Sequence, residues 1–229
     1  MFYPNKIKSI RANDRVLEIG PGDSPYYRSD VLLELSYEND EDRIKQFGHV
    51  NTLVSDKKVV FYDGNKFPFE DNAFDYIICS HVLEHIIDVD FFLREVYRVA
   101  KRGYFEYPLI TYDYLYNFDV HLNFLKYNDN VMYLMKKDAT SLNEFKPIQA
   151  FFLKTLNNNY GDFLQKIPHC FFEGFEWDKP FELKYSKNLN DFIDKNADLT
   201  NVLIPHPEPS IKSSFNFLLK AIKNRLKNV

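Results

Sequence analysis

The first half of the chain alternates short apolar runs with polar turns and longer periodic segments. Five runs rich in β-branched and aromatic residues, each followed by a polar or glycine-containing turn, predict β-strands. They are residues 15–19, 31–35, 59–62, 74–79 and 103–107. Because strands separated by helical segments build parallel sheets, residues 14–110 predict an α/β fold with a mostly parallel sheet and flanking helices.

Helical periodicity is clear in one segment of this half and absent from another. Phe92, Val96 and Val99 recur at helical spacing, acidic residues precede them and Gly103 follows, which predicts a helix over 88–102. Only eight residues separate Gly22 from Val31, which is too short for a helix between the first two strands. We therefore predict that the first inter-strand helix is shortened or lost.

The pattern changes after residue 110, which predicts an α+β insertion and C-terminal elaboration over residues 111–204. Its elements are a hairpin of residues 120–126 and 131–137, a helix opened by Pro147, and two strands within 172–185. Prolines at 205, 207 and 209 predict an extended linker, since each disfavours helical backbone at the residue before it. A basic amphipathic helix is predicted after the linker, so residues 205–229 form the third segment.

The final predicted helix places apolar residues on one face and lysines largely elsewhere. The apolar positions are Ile211, Phe215, Leu218, Leu219, Ile222 and Leu226. We favour docking of this face on the parent domain or on a second subunit over peripheral contact with an anionic membrane. Oligomerisation and membrane contact both stay open at this stage.

Composition narrows the class of protein. A chain of 229 residues with 45% hydrophobic content predicts one elaborated domain. The net charge of −4 gives no basic excess for a nucleic-acid partner, so we expect none. With two cysteines, no signal-peptide pattern and no apolar run long enough for a bilayer, we expect a cytoplasmic protein without a disulfide framework.

A glycine turn and two carboxylates mark the predicted ligand site. Gly20 and Gly22 follow the first strand, Glu34 lies at the end of the second and Asp63 follows the third. Ligands of open parallel sheets bind beyond the carboxyl ends of the strands, where glycines allow close approach and a carboxylate accepts ribose hydroxyls. The sequence therefore predicts a nucleoside-containing ligand at this edge.

Two longer motifs carry a family resemblance over about residues 14–110. They are Tyr-Asp-Gly-Asn-Lys-Phe-Pro-Phe at 62–69 and Phe-Asp-Tyr-Ile-Ile-Cys-Ser-His-Val-Leu-Glu-His at 74–85. With the glycine turn, they resemble the class I S-adenosylmethionine-dependent methyltransferases of the type 11 branch. The resemblance implies a Rossmann-like fold and S-adenosyl-L-methionine as the cofactor.

The resemblance also implies roles for individual residues. Glu18, Gly20 and Gly22 would surround the methionine part, Glu34 would hold the ribose, and Asp63 and Phe67 would meet the adenine. Ser80 and His81 would lie near the transferred methyl group, and Gly64 belongs to the turn after the third strand. The shortened loop would add Asp23, with Tyr26 and Tyr27 as further contacts.

The implied reaction is methylation of a small molecule or glycan, with a surface-polysaccharide sugar hydroxyl as the specific expectation. A hydroxyl acceptor benefits from a general base, and His81 is the first candidate because histidine titrates near neutral pH. Glu106 at the end of the fifth strand and His121 on the hairpin are further candidates. The alternative is a non-catalytic module of the same fold that binds a protein partner through its aromatic second half and its basic tail.

Residues 81–85 also match the H-x-x-E-H pattern of a zinc-peptidase group. In that group a helix places both histidines on one face, whereas here His81 directly follows a predicted strand. We therefore expect no zinc-peptidase site and assign no metal ligand. A nicotinamide-dependent oxidoreductase is disfavoured as well, because the glycine turn lacks the G-x-G-x-x-G pattern that opens a helix.

Overall fold

A six-stranded sheet organises the described part of the chain, which comprises residues 1–36, 56–156, 164 and 167–193 of a computed structural model. The nine strands are β1 (Val16–Ile19), β2 (Val31–Leu35), β3 (Lys58–Tyr62), β4 (Tyr76–Ser80), β5 (Gly103–Pro108), β6 (Asn123–Asn128), β7 (Val131–Lys136), β8 (Phe172–Trp177) and β9 (Glu182–Tyr185). The large sheet has the order β3-β2-β1-β4-β5-β8. Its neighbours are parallel except for β8, which runs antiparallel to β5.

The strand order reverses between β1 and β4. From β1 the chain builds outward through β2 to β3 and then returns to add β4 on the other side of β1. The connections leaving β1 and β4 therefore diverge and open a crevice at the carboxyl ends of these two strands, where ligands of such sheets bind.

The central strands are buried on both faces, as expected for a parallel sheet covered on each side. Leu17, Ile77 and Phe105 are each 0% exposed. Helix α1 (Val89–Val99) packs its apolar face on the sheet, and the Asp88 carboxylate caps it by accepting from the Phe91 N–H at 2.9 Å. The helix is shorter than the predicted 88–102, because the backbone is already extended at residue 100.

The predicted hairpin is confirmed and forms a second sheet, of order β6-β7-β9. Asp129 and Asn130 make its two-residue turn with φ of 48° and 63°, the conformation that short polar side chains tolerate in such turns. The first strand begins at Asn123 instead of residue 120. The Leu122 N–H bonds to the Glu84 carbonyl at 2.6 Å, so this part of the chain pairs elsewhere.

Two further helices flank the sheets, α2 (Ile110–Tyr116) and α3 (Lys146–Thr155). The second matches the helix predicted at Pro147, whereas the first was not predicted. Both strands predicted within 172–185 are present, but they join different sheets: β8 pairs with β5, and β9 runs parallel to β7.

The predicted fold class, a mostly parallel sheet with flanking helices, is confirmed. Residues 20–30 contain no helix, as the short spacing predicted. The described residues belong to one compact unit, Met1–Lys195, and none of their helices is long and apolar enough to span a bilayer. The predicted linker at 205–209 and the helix after it lie outside the described residues, and the segment boundaries stay predictions.

Candidate active site

A cavity of about 550 Å³ lies at the carboxyl ends of β1, β2 and β4. This volume falls within the roughly 300–1,000 Å³ of small-molecule sites. Its lining residues come from the N-terminal segment, the turns after β1 and β4, the ends of β2 and β3, the segment around α2, and the start of β8. The cavity thus occupies the crevice at the reversal of strand order.

The glycine turn after β1 forms part of the cavity wall. Gly20 and Gly22 both have φ of +61°, a left-handed conformation that favours glycine. A Cβ atom at Gly20 would come within 2.7 Å of Val82 Cγ2, whereas one at Gly22 would meet nothing within 4 Å. Gly20 therefore allows close packing against the turn after β4, and Gly22 leaves the wall open to a ligand.

Glu34 lies at the end of β2 and lines the same cavity as the glycine turn. The residue is 4% exposed, and its Oε1 accepts from the Leu35 N–H at 3.1 Å. The backbone N–H of Gly20 bonds to the Leu33 carbonyl at 2.9 Å, which ties the turn to this strand. A glycine-walled crevice and a buried carboxylate are therefore combined in one site.

Asp63, Gly64 and Phe67, which were predicted to bind the cofactor, do not line the cavity. The Asp63 carboxylate is exposed and accepts from Asn65 N–H and Nδ2 at 3.0 and 2.8 Å, which lowers the Asp63 pKa. Gly64 has φ of +86°. Phe67 is 1% exposed and packs edge-on against Phe92 in the core. Their cofactor roles stay predictions.

Glu18 stabilises the loop between β1 and β2. Its Oε2 accepts from the Tyr26 N–H at 2.8 Å and from Ser29 Oγ at 2.7 Å. Burial raises the pKa of Glu18 above its usual value against the opposing effect of these bonds. Asp23 of this loop lines the cavity, whereas Glu18, Tyr26 and Tyr27 do not.

His81 enters the cavity from a strained position directly after β4. Its φ of 57° is left-handed, which is uncommon outside glycine, asparagine and aspartate and is typical of functional sites. Its Nε2 lies 3.2 Å from Glu106 Oε1, and its Nδ1 lies 3.3 Å from Glu84 Oε1. Burial alone would lower the pKa of His81, but these two carboxylates outweigh it and raise the pKa to about 9.

Glu106 anchors the N-terminal segment and does not itself line the cavity. Its carboxylate accepts from the Phe2 N–H at 2.7 Å, the Tyr3 N–H at 2.9 Å and the Tyr104 hydroxyl at 2.7 Å. Burial would raise its pKa, but contact with His81 and these hydrogen bonds lower it to about 2. Through this anchor, Met1 and Phe2 become part of the cavity wall.

Ser80, His85 and His121 also line the cavity. Ser80 Oγ donates to Glu106 Oε1 at 3.0 Å. The His85 Nδ1 contacts the Val120 carbonyl at 3.0 Å, and burial lowers the His85 pKa. His121 was predicted as a further candidate for the general base, but its proximity to His85 was not predicted.

A family model described as a methyltransferase domain matches residues 31–105. That segment runs from β2 to β5 and supplies Glu34, Ser80 and His81 to the cavity. Residues 31–105 are therefore similar to a methyltransferase domain.

Relatives of the methyltransferase domain are known from sequence and structure. The curated protein "Putative methyltransferase YrhH" of Bacillus subtilis (strain 168) is 29% identical over 99 residues, which is 40% of this chain and 54% of that protein. The YcgJ protein of Bacillus subtilis is 28% identical, with a TM-score of 0.32 over 44% of this chain and 47% of its own. A SAM-dependent methyltransferase from Thermotoga maritima is 21% identical, with a TM-score of 0.32 over 46% and 49% of the two chains. The match thus spans about half the length of each relative.

Some residues of the cavity wall could not be predicted from sequence motifs. Tyr112, Phe118 and Phe172 belong to the aromatic second half of the sequence, and all three line the cavity. Met1 and Phe2 line it too, and no sequence signal pointed to them. The cavity therefore combines residues of the matched segment 31–105 with residues from other parts of the described chain.

Proposed function

We propose that this methyltransferase domain binds S-adenosylmethionine in the cavity and transfers its methyl group to a hydroxyl of a small molecule. The supporting observation is that the glycine turn, Glu34 and the Ser80–His81 turn line one cavity of suitable volume. The glycine turn and the carboxylate come from neighbouring strands, whereas His81 comes from the far side of β1. A ligand lying across β1 would touch all three.

The cofactor-side residues fit an adenosylmethionine ligand. The open space at Gly22 admits a ligand to the backbone, and the Glu34 carboxylate offers acceptors for two ribose hydroxyls. Charge-assisted hydrogen bonds of this kind are among the stronger polar contacts in proteins. Asp23 and Ser24 extend the polar side of the same wall.

The reaction asks little covalent chemistry of the protein. Bound S-adenosylmethionine supplies a methyl group on a positively charged sulfur. An electron pair of the acceptor oxygen forms the new C–O bond, the pair of the C–S bond stays on sulfur, and the hydroxyl proton passes to water. The chain's own residues align the acceptor and exclude competing solvent, which is the main source of rate in such displacements.

The acceptor side of the cavity favours a ring-shaped small molecule. Phe2, Tyr112, Phe118 and Phe172 line it, and aromatic faces pack well against sugar rings and planar rings. A sugar hydroxyl of a surface polysaccharide stays the specific candidate within this class. The general-base roles of His81, Glu106 and His121 stay predictions of the sequence.

Calorimetry with S-adenosylmethionine tests the first half of the proposal. We expect saturable binding to the full chain, and Glu34→Ala should weaken it by about 10- to 100-fold because charged hydrogen bonds are lost. Glu144→Gln, at an exposed position outside the cavity, is the matched control and should bind normally. Absence of binding to the unmodified chain would overturn the proposal.

Transfer of a radiolabelled methyl group tests the second half. The test uses a panel of hydroxyl acceptors with different rings, such as free sugars, nucleotide sugars and phenols. We expect some of them to be labelled, and we expect this labelling to require Glu34. Normal cofactor binding with no labelling of any hydroxyl acceptor would favour the non-catalytic module instead.

A further inference from the structure

Three metal-ligating side chains meet on the acceptor side of the cavity. Glu84 and His85 belong to the short 3-10 helix Leu83–His85 that follows β4, and His121 comes from the segment before β6. One ligand atom from each lies within 4.8 Å of the others. All three residues line the cavity, so the cluster faces the same space as the proposed reaction.

Glu84 is a buried carboxylate whose oxygens lack hydrogen bonds within the described residues. The residue is 1% exposed, and neither Oε1 nor Oε2 makes a hydrogen bond there. His81 Nδ1 and His85 Nε2 are at ion-pair distances of 3.3 and 3.9 Å from Oε1, without hydrogen-bond alignment. Buried ionised groups are normally hydrogen-bonded, paired or bound to a metal. Both ion pairs of Glu84 involve Oε1, so Oε2 has no partner among the described residues, and a bound cation would supply one.

Both histidines are held in the tautomer and orientation that ligation requires. The His85 Nδ1 contacts the Val120 carbonyl at 3.0 Å, and because a carbonyl only accepts, Nδ1 carries the proton and Nε2 is left with its lone pair. This Nε2 atom is also the one that faces Glu84, 3.9 Å from Glu84 Oε1. An outer partner that fixes a histidine in this way is typical of metal sites.

The outer contact of His121 is stronger still. Its Nδ1 lies 2.8 Å from Asp113 Oδ2, and the other oxygen, Asp113 Oδ1, accepts from Lys137 Nζ at 2.9 Å. Asp113 and Lys137 are themselves buried. This is the carboxylate–histidine arrangement that orients a ligand ring and increases its basicity toward a metal.

We propose that Glu84, His85 and His121 bind a divalent transition-metal cation that holds the hydroxyl of the acceptor. Two imidazoles and one carboxylate suit Zn²⁺, Mn²⁺ or Fe²⁺ better than Mg²⁺ or Ca²⁺, which prefer oxygen ligands. Three protein ligands leave coordination positions open toward the cavity. This inference rests on the proposed methyl transfer. It assigns an acceptor that offers one hydroxyl, or two neighbouring hydroxyls, to the cation. The cation would lower the pKa of the bound hydroxyl and favour loss of its proton to water.

The cluster differs from the zinc-peptidase pattern of the sequence. In H-x-x-E-H both histidines of the motif are ligands, whereas the His81 side chain lies between Glu106 and Glu84. His121, distant in sequence, takes the remaining position beside His85, with ring centroids 4.9 Å apart. We therefore still expect no peptidase-type zinc site. From the sequence we assigned no metal ligand, and the present proposal replaces that assignment.

Metal titration of the full chain, without a histidine tag and stripped with chelator, tests the site independently of the reaction. We expect one Zn²⁺ per chain by elemental analysis, and two imidazoles in the zinc X-ray absorption spectrum. Glu84→Gln and His121→Ala should each weaken Zn²⁺ binding by at least about 100-fold, and Asp113→Asn by about 10- to 100-fold. His169→Ala, at an exposed histidine outside the cavity, should bind Zn²⁺ normally.

Each outcome is separable from the proposed function. Zinc binding is measured without S-adenosylmethionine, and cofactor affinity is measured on the metal-free chain, which also reports whether each variant is folded. Failure to bind zinc stoichiometrically, a spectrum with fewer than two imidazoles, or undiminished methyl transfer after complete metal removal would each overturn the metal proposal. Stoichiometric zinc without cofactor binding would instead overturn the methyltransferase proposal and leave the cation site standing.

Discussion

The Phe2 ring lies flat on the Phe172 ring, with centroids 3.7 Å apart and planes inclined by 12°. Both rings line the cavity, and both also meet His81 edge-on, at 5.6 and 5.3 Å. A residue of the N-terminal segment and one of strand β8 thus form a common wall beside the strained histidine.

Removing either ring should reveal direct coupling between these two segments. Aromatic pairs contribute about 0.5–1.5 kcal/mol beyond the area they bury, so a double-mutant cycle of Phe2→Ala and Phe172→Ala should give a coupling free energy of that size. Urea unfolding of the four proteins provides the measurement. Additive free energies of unfolding would show that the two rings are neighbours without mutual stabilisation.

Glu106 should make the stability of the domain depend on pH in the acid range. Its pKa in the folded state is about 2, below the usual value for a glutamate, so its contribution is fully present above about pH 4.5 and lost as the pH falls toward 2. Glu106→Gln should therefore reduce the free energy of unfolding at pH 7 by on the order of 2–3 kcal/mol, and by about half as much near pH 3.

The measurement is denaturant unfolding at several pH values in the presence of chelator, so that metal binding does not contribute. Glu144→Gln serves as the exposed control and should follow the unmodified chain at every pH. A constant difference between Glu106→Gln and the unmodified chain from pH 7 to pH 3 would contradict the assignment.

The two glycines of the turn after β1 should respond differently to alanine. Both have φ of +61°, which costs an alanine about 1–2 kcal/mol at either position. Gly20→Ala adds a clash with Val82 Cγ2 at 2.7 Å, so it should lower the melting temperature more than Gly22→Ala does. Differential scanning calorimetry tests the order. Equal melting temperatures would show that the Val82 side chain moves aside freely.

Arg98 should be the main support of the loop that contains Phe67. Its guanidinium donates to the Phe67 carbonyl at 3.0 Å, to the Phe69 carbonyl at 2.7 Å and to Glu95 Oε2 at 2.7 Å. Arg98→Ala should lower the free energy of unfolding by about 2–3 kcal/mol, since charged hydrogen bonds are lost and Glu95 is left buried. Arg94→Ala, at an exposed position on the same helix, should change it by less than about 0.5 kcal/mol in urea unfolding. Similar losses in both variants would argue against this role.

The sheet could be predicted from sequence because its strands are local and buried. Runs such as 31–35 and 76–80 are apolar enough to have few alternatives, and the eight residues between Gly22 and Val31 leave no room for a helix. The pairing of β8 with β5 and of β9 with β7 depends on contacts between distant segments, which periodicity does not encode. Helix α2 was missed because it is short and lacks a side-chain cap.

The site could be predicted from sequence where its residues lie at the ends of predicted strands or within a recognisable motif. Gly20, Gly22 and Glu34 follow from strand ends, Ser80 and His81 follow from the family resemblance, and all five line a common cavity. Asp63 also follows a strand, but its carboxylate bonds to Asn65 two residues on, a local alternative that spacing cannot weigh against a ligand. The meeting of His121 with Glu84 and His85 needs the course of the chain after α2, which no local pattern supplies.

The late position of β8 has a consequence for how the chain is made. Strand β5 is buried along its full length, yet about 60 residues of later sequence must be synthesised before its outer neighbour exists. At roughly 5–20 residues per second, a nascent chain presents that unsatisfied backbone edge for several seconds. Shortened chains that stop before Phe172 would present it permanently, and such edges recruit strands from other molecules. The solubility of the nascent chain should therefore depend on β8, although Phe172 is the one residue of this strand that lines the cavity.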